Sequence, residues 1–196
     1  MLTLYHAPST RSTSMVQLLL ELGAADQVAI ELVTIPRGKD QADTRNPHPE
    51  KKVPYLTDGT DHVRERAAIT LYLSDRFPAR GLGRAVGDPQ RGEYLSWLFW
   101  YQGVFEPVAY LHFTGTSHPA LTENFRDYDT ALDRLDEVLK RQPYLLGDQY
   151  SAADLLIAGT FAWFGDRMGS TDAIRAWVAR CIDRPSYRRI MGEAAA

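Results

Sequence analysis

The sequence predicts a two-part chain, a small mixed α/β domain followed by an all-helical one. Three observations predict it. Up to residue 77, short apolar and aromatic runs alternate with helical patterns in the order β-α-β, connector, β-β-α. From Pro78 to Pro89 the chain turns to Gly, Pro and Arg, the composition of a linker. Beyond that stretch apolar residues recur at helical spacing. The expected boundaries are 1–78 for the α/β domain, 79–88 for the linker and 89–196 for the helical domain.

In order, Leu2, Leu4 and Tyr5 give a short strand, and residues 7–12 form a turn rich in helix-capping hydroxyls. Met15, Val16, Leu18, Leu19 and Leu22 recur at helical spacing until Gly23 stops the helix. Residues 28–33 are a second strand, and a right-handed crossover makes it parallel to the first. Residues 36–52 are polar and broken by proline, with at most one short helix. Tyr55-Leu56-Thr57 and His62-Val63 flank Asp58-Gly59, the signal for an antiparallel hairpin. Ile69, Tyr72, Leu73 and Phe77 supply a closing helix that Pro78 ends. This order is that of a thioredoxin-like domain.

In the second half, Tyr94 to Phe113 reads as one long aromatic helix bent at Pro107. Phe125, Tyr128, Leu132, Leu135 and Leu139 step by three and four as a second, amphipathic helix. Tyr150-Ser151-Ala152-Ala153-Asp154-Leu155 carries a capping box, in which Ser151 and Asp154 satisfy each other's backbone N–H groups and Tyr150 staples against Leu155. The helix it opens is apolar almost all round and is expected to be buried. Ile174, Trp177, Val178 and Cys181 mark a further helix, and Pro185 opens a short last one.

Composition narrows the function. The formal net charge of −3 and the lack of a basic stripe give no footprint for nucleic acid. No apolar run approaches the ~18 residues of a membrane span, and the first residues lack the features of a signal peptide. A cytoplasmic location is expected. The single cysteine, Cys181, excludes an internal disulfide, a CxxC redox pair and a cysteine-based zinc site. Any thiol chemistry must therefore use a thiol that the protein does not supply, and no metal is expected.

One stretch organises the rest: Lys52-Val53-Pro54-Tyr55-Leu56, followed after the hairpin by Glu65-Arg66-Ala67-Ala68-Ile69. A proline at the mouth of a strand cannot donate to a ladder. If the Val53-Pro54 bond is cis, the Val53 N–H and C=O face outward and can pair with an extended peptide. The Glu-Arg pair stands where a helix begins, and helix N-termini attract carboxylates. Together they describe a cradle for a small, anionic, peptide-like ligand.

These residues resemble the cytosolic glutathione transferases, bacterial and of serine or threonine type, over essentially the whole chain. Tyr5-His6-Ala7-Pro8-Ser9-Thr10-Arg11-Ser12 resembles the family's first strand and active-site turn. Asn46-Pro47 with Lys52-Val53-Pro54-Tyr55-Leu56 is similar to its Asn-Pro and Lys-Val-Pro-x-Leu segments. Glu65-Arg66-Ala67-Ala68-Ile69 with Tyr72-Leu73 resembles its Glu-Ser-x-Ala-Ile helix start, and residues 150–154 its folding cap. Two positions depart from the pattern: Arg66 stands where the family has serine, and Lys51 where it often has glycine.

The resemblance implies glutathione as co-substrate and a homodimer. It implies that Ser9, Thr10 or Ser12 donates a hydrogen bond to the sulfur, with Ser9 favoured by its spacing from Val16; each hydroxyl also suits plain helix capping. A free thiol has a pKa near ~8.5, and a hydroxyl donor plus a helix N-terminus can lower it by a unit or two. Tyr5 is an alternative hydroxyl, and Arg11 a supporting cation. Val53 and Pro54 imply the backbone pairing site. Lys52, with Lys51 or His48 as alternatives, would meet the glycyl carboxylate. Glu65 would take the α-ammonium and the Arg66 N–H the α-carboxylate. The Arg66 side chain either grips that carboxylate or pairs locally with Glu65 or Glu50 and partly closes the site. Trp97, Trp100, Phe113, Phe161 and Trp163 divide between core and an apolar pocket, with Tyr101 and Tyr110 offered as pocket hydroxyls.

The leading expectation is a glutathione transferase that attacks a small apolar electrophile. The same fold and ligand also serve isomerisation, dehalogenation and peroxide reduction. A non-catalytic binding module is the alternative of a different class, favoured by Arg66 and opposed by Val53-Pro54 and Glu65. Disulfide reduction is disfavoured, because no cysteine lies near the first helix.

Overall fold

The computed structural model describes residues 1–36 and 41–194; residues 37–40, inside the expected connector, lie outside the described set. The elements in chain order are β1 (Leu2–His6), α1 (Thr13–Leu22), β2 (Val28–Leu32), β3 (Tyr55–Asp58), β4 (Asp61–Val63) and α2 (Arg66–Arg76). They continue with α3 (Arg91–Trp100), α4 (Glu106–Phe113), α5 (Pro119–Phe125), α6 (Tyr128–Leu139), α7 (Ala152–Phe164), α8 (Asp172–Ile182) and α9 (Pro185–Ala194). The chain divides into two compact units, Met1–Gly83 together with α9, and Arg84–Arg184.

The first unit holds a four-stranded sheet in the order β2-β1-β3-β4. β1 and β2 are parallel, as the right-handed crossover requires, and the other pairs are antiparallel. Leu2, Leu4 and His6 of β1 are buried while Thr3 and Tyr5 are half-buried, the period-2 alternation of a strand with one covered face. Met15, Leu18, Leu19 and Leu22 form the buried face of α1, and burying each such side chain stabilises the unit by about 1.5–3 kcal/mol. Gly23 ends the helix at φ +67, with its N–H on the Leu20 carbonyl and that of Ala24 on the Leu19 carbonyl. That left-handed cap is a conformation glycine adopts without a Cβ penalty.

The last helix departs from the expected 89–196 grouping. Ser186 of α9 donates to the Glu21 carboxylate and accepts from Gln17 Nε2, both on α1, and Ile190 is buried. The expected linker is also packed. Pro78–Arg80 is a 3₁₀ turn, Leu82 and Arg84 are buried, and a Cβ on Gly83 would stand 2.6 Å from Ser74 Cβ of α2. Only glycine permits that approach.

In the second unit the expected long helix is interrupted before its proline. Residues 101–105 form a π-helical turn in which the Glu106 N–H bonds the Tyr101 carbonyl five residues back. Pro107 has no N–H to offer Gly103, so the regular ladder fails one turn upstream of the proline itself. Phe125 closes α5 rather than opening the amphipathic helix; α6 starts at Tyr128, where the Asp127 side chain accepts from the Thr130 N–H at 2.9 Å. The core gathers Tyr94, Trp97, Tyr101, Phe105, Leu135, Ile157 and Trp177, all at most 1% exposed. No helix among the described residues is long and apolar enough to cross a membrane.

The capping box at the start of α7 forms as its sequence predicts. The fully buried Asp154 carboxylate accepts from the N–H groups of Leu145 and Ser151, the Ser151 hydroxyl and Trp177 Nε1, at 2.6–2.9 Å. The Tyr150 ring meets Tyr144 and the Arg184 guanidinium. Asp154→Ala strands four buried donors and is expected to cost about 3 kcal/mol or more. Asp154→Asn keeps one acceptor oxygen and should cost less. Urea denaturation of both variants measures the difference.

Candidate functional site

Three stretches distant in sequence meet at one end of the sheet. The β1–β3 register pairs Tyr5 with Tyr55, and the β3–β4 register pairs Leu56 with Val63. Because β3 runs antiparallel to both β1 and β4, the end of β1, the start of β3 and the end of β4 lie at the same end of the sheet. The turn after β1, the Val53-Pro54 pair and the start of α2 thus share one edge. The ladder ends there because Pro54 has no N–H to continue it.

In the turn between β1 and α1, two of the three candidate hydroxyls are turned inward. Ser12 is fully buried, with its Oγ 2.7 Å from His6 Nδ1, 2.8 Å from Thr10 Oγ1, and accepting the Ala7 N–H at 3.1 Å. The half-buried Thr10 donates from Oγ1 to the Ala7 carbonyl at 2.7 Å and accepts the Ser12 N–H at 3.2 Å. Ser12 precedes α1 without capping it through its side chain. Its expected role as a donor to sulfur is thereby corrected, since a fully buried hydroxyl meets no ligand. Ser9 differs from both: it is exposed, holds a left-handed backbone at φ +55, and its side chain makes no hydrogen bond among the described residues. Tyr5 is half-buried, its ring 6.0 Å from that of Tyr55, and Arg11 is exposed.

The second stretch is held by Asn46, which is fully buried. Its Oδ1 accepts the His48 N–H at 3.0 Å, its Nδ2 donates to the Lys52 carbonyl at 3.2 Å, and its own carbonyl accepts Lys51 Nζ at 2.5 Å. Upstream, the Asp43 carboxylate holds Arg45 and the Thr34 N–H, and its bond to Arg45 keeps its carboxyl well below the usual range. Asn46 therefore ties both ends of the turn leading to Val53. The Val53-Pro54 bond is cis, Pro54 is buried, and the Val53 N–H and C=O have no partner among the described residues. Lys52 is exposed and its ammonium makes no ion pair among the described residues.

Two alternative anion partners do not face outward. The Lys51 ammonium is committed to the Asn46 carbonyl. His48 is 5% exposed, accepts the Glu50 N–H on Nδ1 at 3.0 Å, and packs edge-on against Tyr55. Burial holds its imidazole below the ordinary histidine range.

At the start of α2, Glu65 is exposed and holds φ +68, ψ 131. A non-glycine residue is strained there by about 1–3 kcal/mol, and such strain collects at functional positions. Arg66, the first residue of α2, is 6% exposed. In the second unit, Tyr101 is fully buried with its hydroxyl 2.7 Å from Thr160 Oγ1, so it belongs to the core and not to a pocket wall. Tyr110 is 44% exposed. Trp97 and Phe161 are core, Trp100 and Phe113 half-buried, and Trp163 exposed.

Sequence reasoning passed over two residues. Asn46 was visible only as half of a dipeptide; its signal was an Asn placed to bond the N–H two residues on, the pattern of an Asx turn. His6 was visible only as the end of a strand.

With this geometry in place, comparison with known proteins gives the family. Residues 4–81 match the model of the glutathione S-transferase N-terminal domain, and residues 95–185 that of the C-terminal domain. The chain belongs to the glutathione S-transferase family. It is 27% identical to the disulfide-bond oxidoreductase YfcG of Escherichia coli, over 95% of this chain and 92% of that protein. It is 26% identical to the disulfide-bond oxidoreductase YghU of the same organism, over 87% of this chain but only 61% of that protein's length. Among solved structures it resembles a sphingomonad glutathione S-transferase complexed with glutathione, with a TM-score of 0.78, 25% identity and 98% of each chain covered.

The turn before Val53 makes a pH prediction. The folded chain keeps His48 neutral, so below about pH 6.5 the unfolded chain takes up a proton that the folded chain refuses. Stability is expected to fall with pH through that window and to level off below the lowered folded value. Urea denaturation at about pH 7.5 and about pH 5.5 should show a smaller loss for His48→Gln than for the wild type; equal losses would remove His48 from the account.

Proposed function

We propose that this chain is a glutathione-dependent enzyme in which Ser9 donates its hydroxyl hydrogen to the sulfur of glutathione. The thiolate then attacks an electrophilic carbon of a small apolar substrate. The observation that carries this reading is Val53. Its N–H and C=O are unpaired among the described residues, at the sheet end where the Ser9 turn and the start of α2 converge. An extended peptide completes that edge with two backbone hydrogen bonds, and the side chain at position 53 has no part in them.

The neighbours suit the rest of the tripeptide. Glu65 supplies a carboxylate for the α-ammonium, the Arg66 N–H at the N-terminus of α2 meets the α-carboxylate, and the Lys52 ammonium meets the glycyl carboxylate. Ser9 and the N-terminal end of α1 favour the charged sulfur over the neutral thiol. In the reaction the thiol proton goes to solvent, the C–S bond forms, and the leaving group departs with the electron pair of the bond it breaks. Of the two tyrosines expected as pocket hydroxyls, Tyr110 is exposed and Tyr101 is not. The homodimer that the family implies completes this reading, and light scattering tests it.

A second reading follows from the two relatives named disulfide-bond oxidoreductases. Glutathione thiolate attacks one sulfur of a disulfide, the S–S bond breaks, and the other sulfur leaves as thiolate, giving a mixed disulfide. A second glutathione releases the remaining thiol and leaves as glutathione disulfide. No protein cysteine is needed, which removes the objection raised by the sequence.

Calorimetric titration with glutathione, read beside the ultraviolet absorbance of bound thiolate, tests both readings. Binding with a thiol pKa below that of free glutathione is expected. Ser9→Ala should raise the bound thiol's pKa by about one to two units, a 10- to 100-fold loss of thiolate near neutral pH. No binding at millimolar glutathione would overturn both. A panel of an aryl halide, an alkyl halide, a peroxide and a dithiol-derived disulfide then separates the reactions.

A further inference from the structure

We infer that His6, Ser12 and Thr10 form a buried hydrogen-bonded relay that positions Ser9, so that His6 is a positioning residue for the thiol-activating hydroxyl. The inference rests on the reading above that Ser9 faces the sulfur. It comes from counting hydrogens in the turn between β1 and α1. Each hydroxyl has one hydrogen to give and two lone pairs to receive. Ser12 Oγ accepts the Ala7 N–H and lies 2.7 Å from His6 Nδ1, 2.8 Å from Thr10 Oγ1 and 3.2 Å from the Ala7 carbonyl. Thr10 Oγ1 accepts the Ser12 N–H and reaches the Ala7 carbonyl at 2.7 Å.

Two orderings satisfy these distances. With a hydrogen on His6 Nδ1, the chain runs from His6 to Ser12, to Thr10, to the Ala7 carbonyl. With Nδ1 bare, it runs from Thr10 to Ser12 to His6, and the Ala7 carbonyl loses its closest hydroxyl donor. In both, the two hydroxyl hydrogens are spent inside the turn, and neither faces outward. His6 sets the direction of the chain, and with it how firmly Ala7 is held against the start of α1.

Ser9 stands outside this closed set. It lies between the two residues that the relay ties together, Ala7 and Thr10, and holds φ +55 without a hydrogen bond of its own side chain among the described residues. A left-handed serine is unfavourable by about 1–3 kcal/mol, and such a residue persists when its surroundings over-determine it. The relay supplies that over-determination from below, while the Ser9 hydroxyl keeps its hydrogen for a ligand. This is pre-organisation of a donor: the cost of ordering it is met in folding and not at the moment of reaction.

The test uses the whole protein with glutathione. His6→Phe keeps the ring and removes the Nδ1 partner of Ser12; His6→Asn keeps a polar atom at the same reach. His6→Phe is expected to raise the pKa of bound glutathione's thiol by about half to one unit, leaving its Kd within about twofold because Val53 and Glu65 are untouched. His6→Asn should recover most of that shift. A folded His6→Phe with an unchanged thiol pKa overturns the inference, and so does a shift that His6→Asn does not recover. Should the His6 variants fail to fold, Thr10→Val at a half-buried position reads the same relay: a raised thiol pKa supports it and an unchanged one overturns it. Failure of the underlying reading shows separately, in a Ser9→Ala protein whose bound thiol titrates like the wild type.

Discussion

The site depends on the place where the β1–β3 ladder stops. A strand that continued past Tyr55 would spend the backbone groups of the next residues on β1, and nothing would remain for a peptide ligand. Pro54 prevents that by having no N–H to give. The last pair is Tyr5 with Tyr55, and two residues further, beyond Pro54, the chain presents Val53 with its N–H and C=O unclaimed among the described residues. Exposed, unpaired backbone at a sheet edge is normally a liability, because any extended chain can pair with it. Here it spans a single residue, flanked by a buried proline on one side and by the turn that Asn46 holds on the other.

The turn between β1 and α1 solves a related problem with hydroxyls. Pre-helical turns favour serine and threonine because those side chains satisfy backbone groups that the helix leaves over. A hydroxyl used that way is lost to chemistry. Residues 9–12 place three hydroxyls within four positions, and the structure divides the labour: Thr10 and Ser12 close the turn, and Ser9 is left over. The division has a steric basis. Ser12 sits at the junction with α1, where the backbone is already in the helical region at φ −70, ψ −16 and the side chain points into the unit. Ser9 sits at the tip, where the chain reverses and positive φ carries its side chain outward.

These particulars also show what the sequence could reveal. Helical spacing located α1, α7 and α8, the Asp-Gly turn located the β3–β4 hairpin, and the Ser151–Asp154 box formed as read. Each is a local pattern whose partner lies within a few residues. The losses are non-local. Nothing near Ser186 announces that its hydroxyl will meet Glu21 and Gln17, so the return of α9 to the first unit was hidden. Ser9, Thr10 and Ser12 look alike in the sequence; only the fold buries Ser12 against His6. Arg66 stood out as a departure from the family pattern, but its burial depends on what packs around the start of α2. The π-helical turn at 101–105 is an intermediate case, since Pro107 was legible as a disturbance while its displacement by a turn was not.

Family membership defines the ligand class more tightly than it defines the reaction, and the chain's own thiol shows why. Cys181 lies 2% exposed in α8, and burial pushes its thiol up, away from the thiolate form. It cannot serve as nucleophile or as resolving thiol for a ligand at the sheet edge. Both reactions proposed above therefore start with the same act, the activation of glutathione's sulfur by groups at the end of β1. Transfer to carbon and attack on a disulfide diverge only afterwards, in which electrophile is held against that sulfur. On the proposed reading, the groups that would activate the sulfur lie in one turn and one strand end.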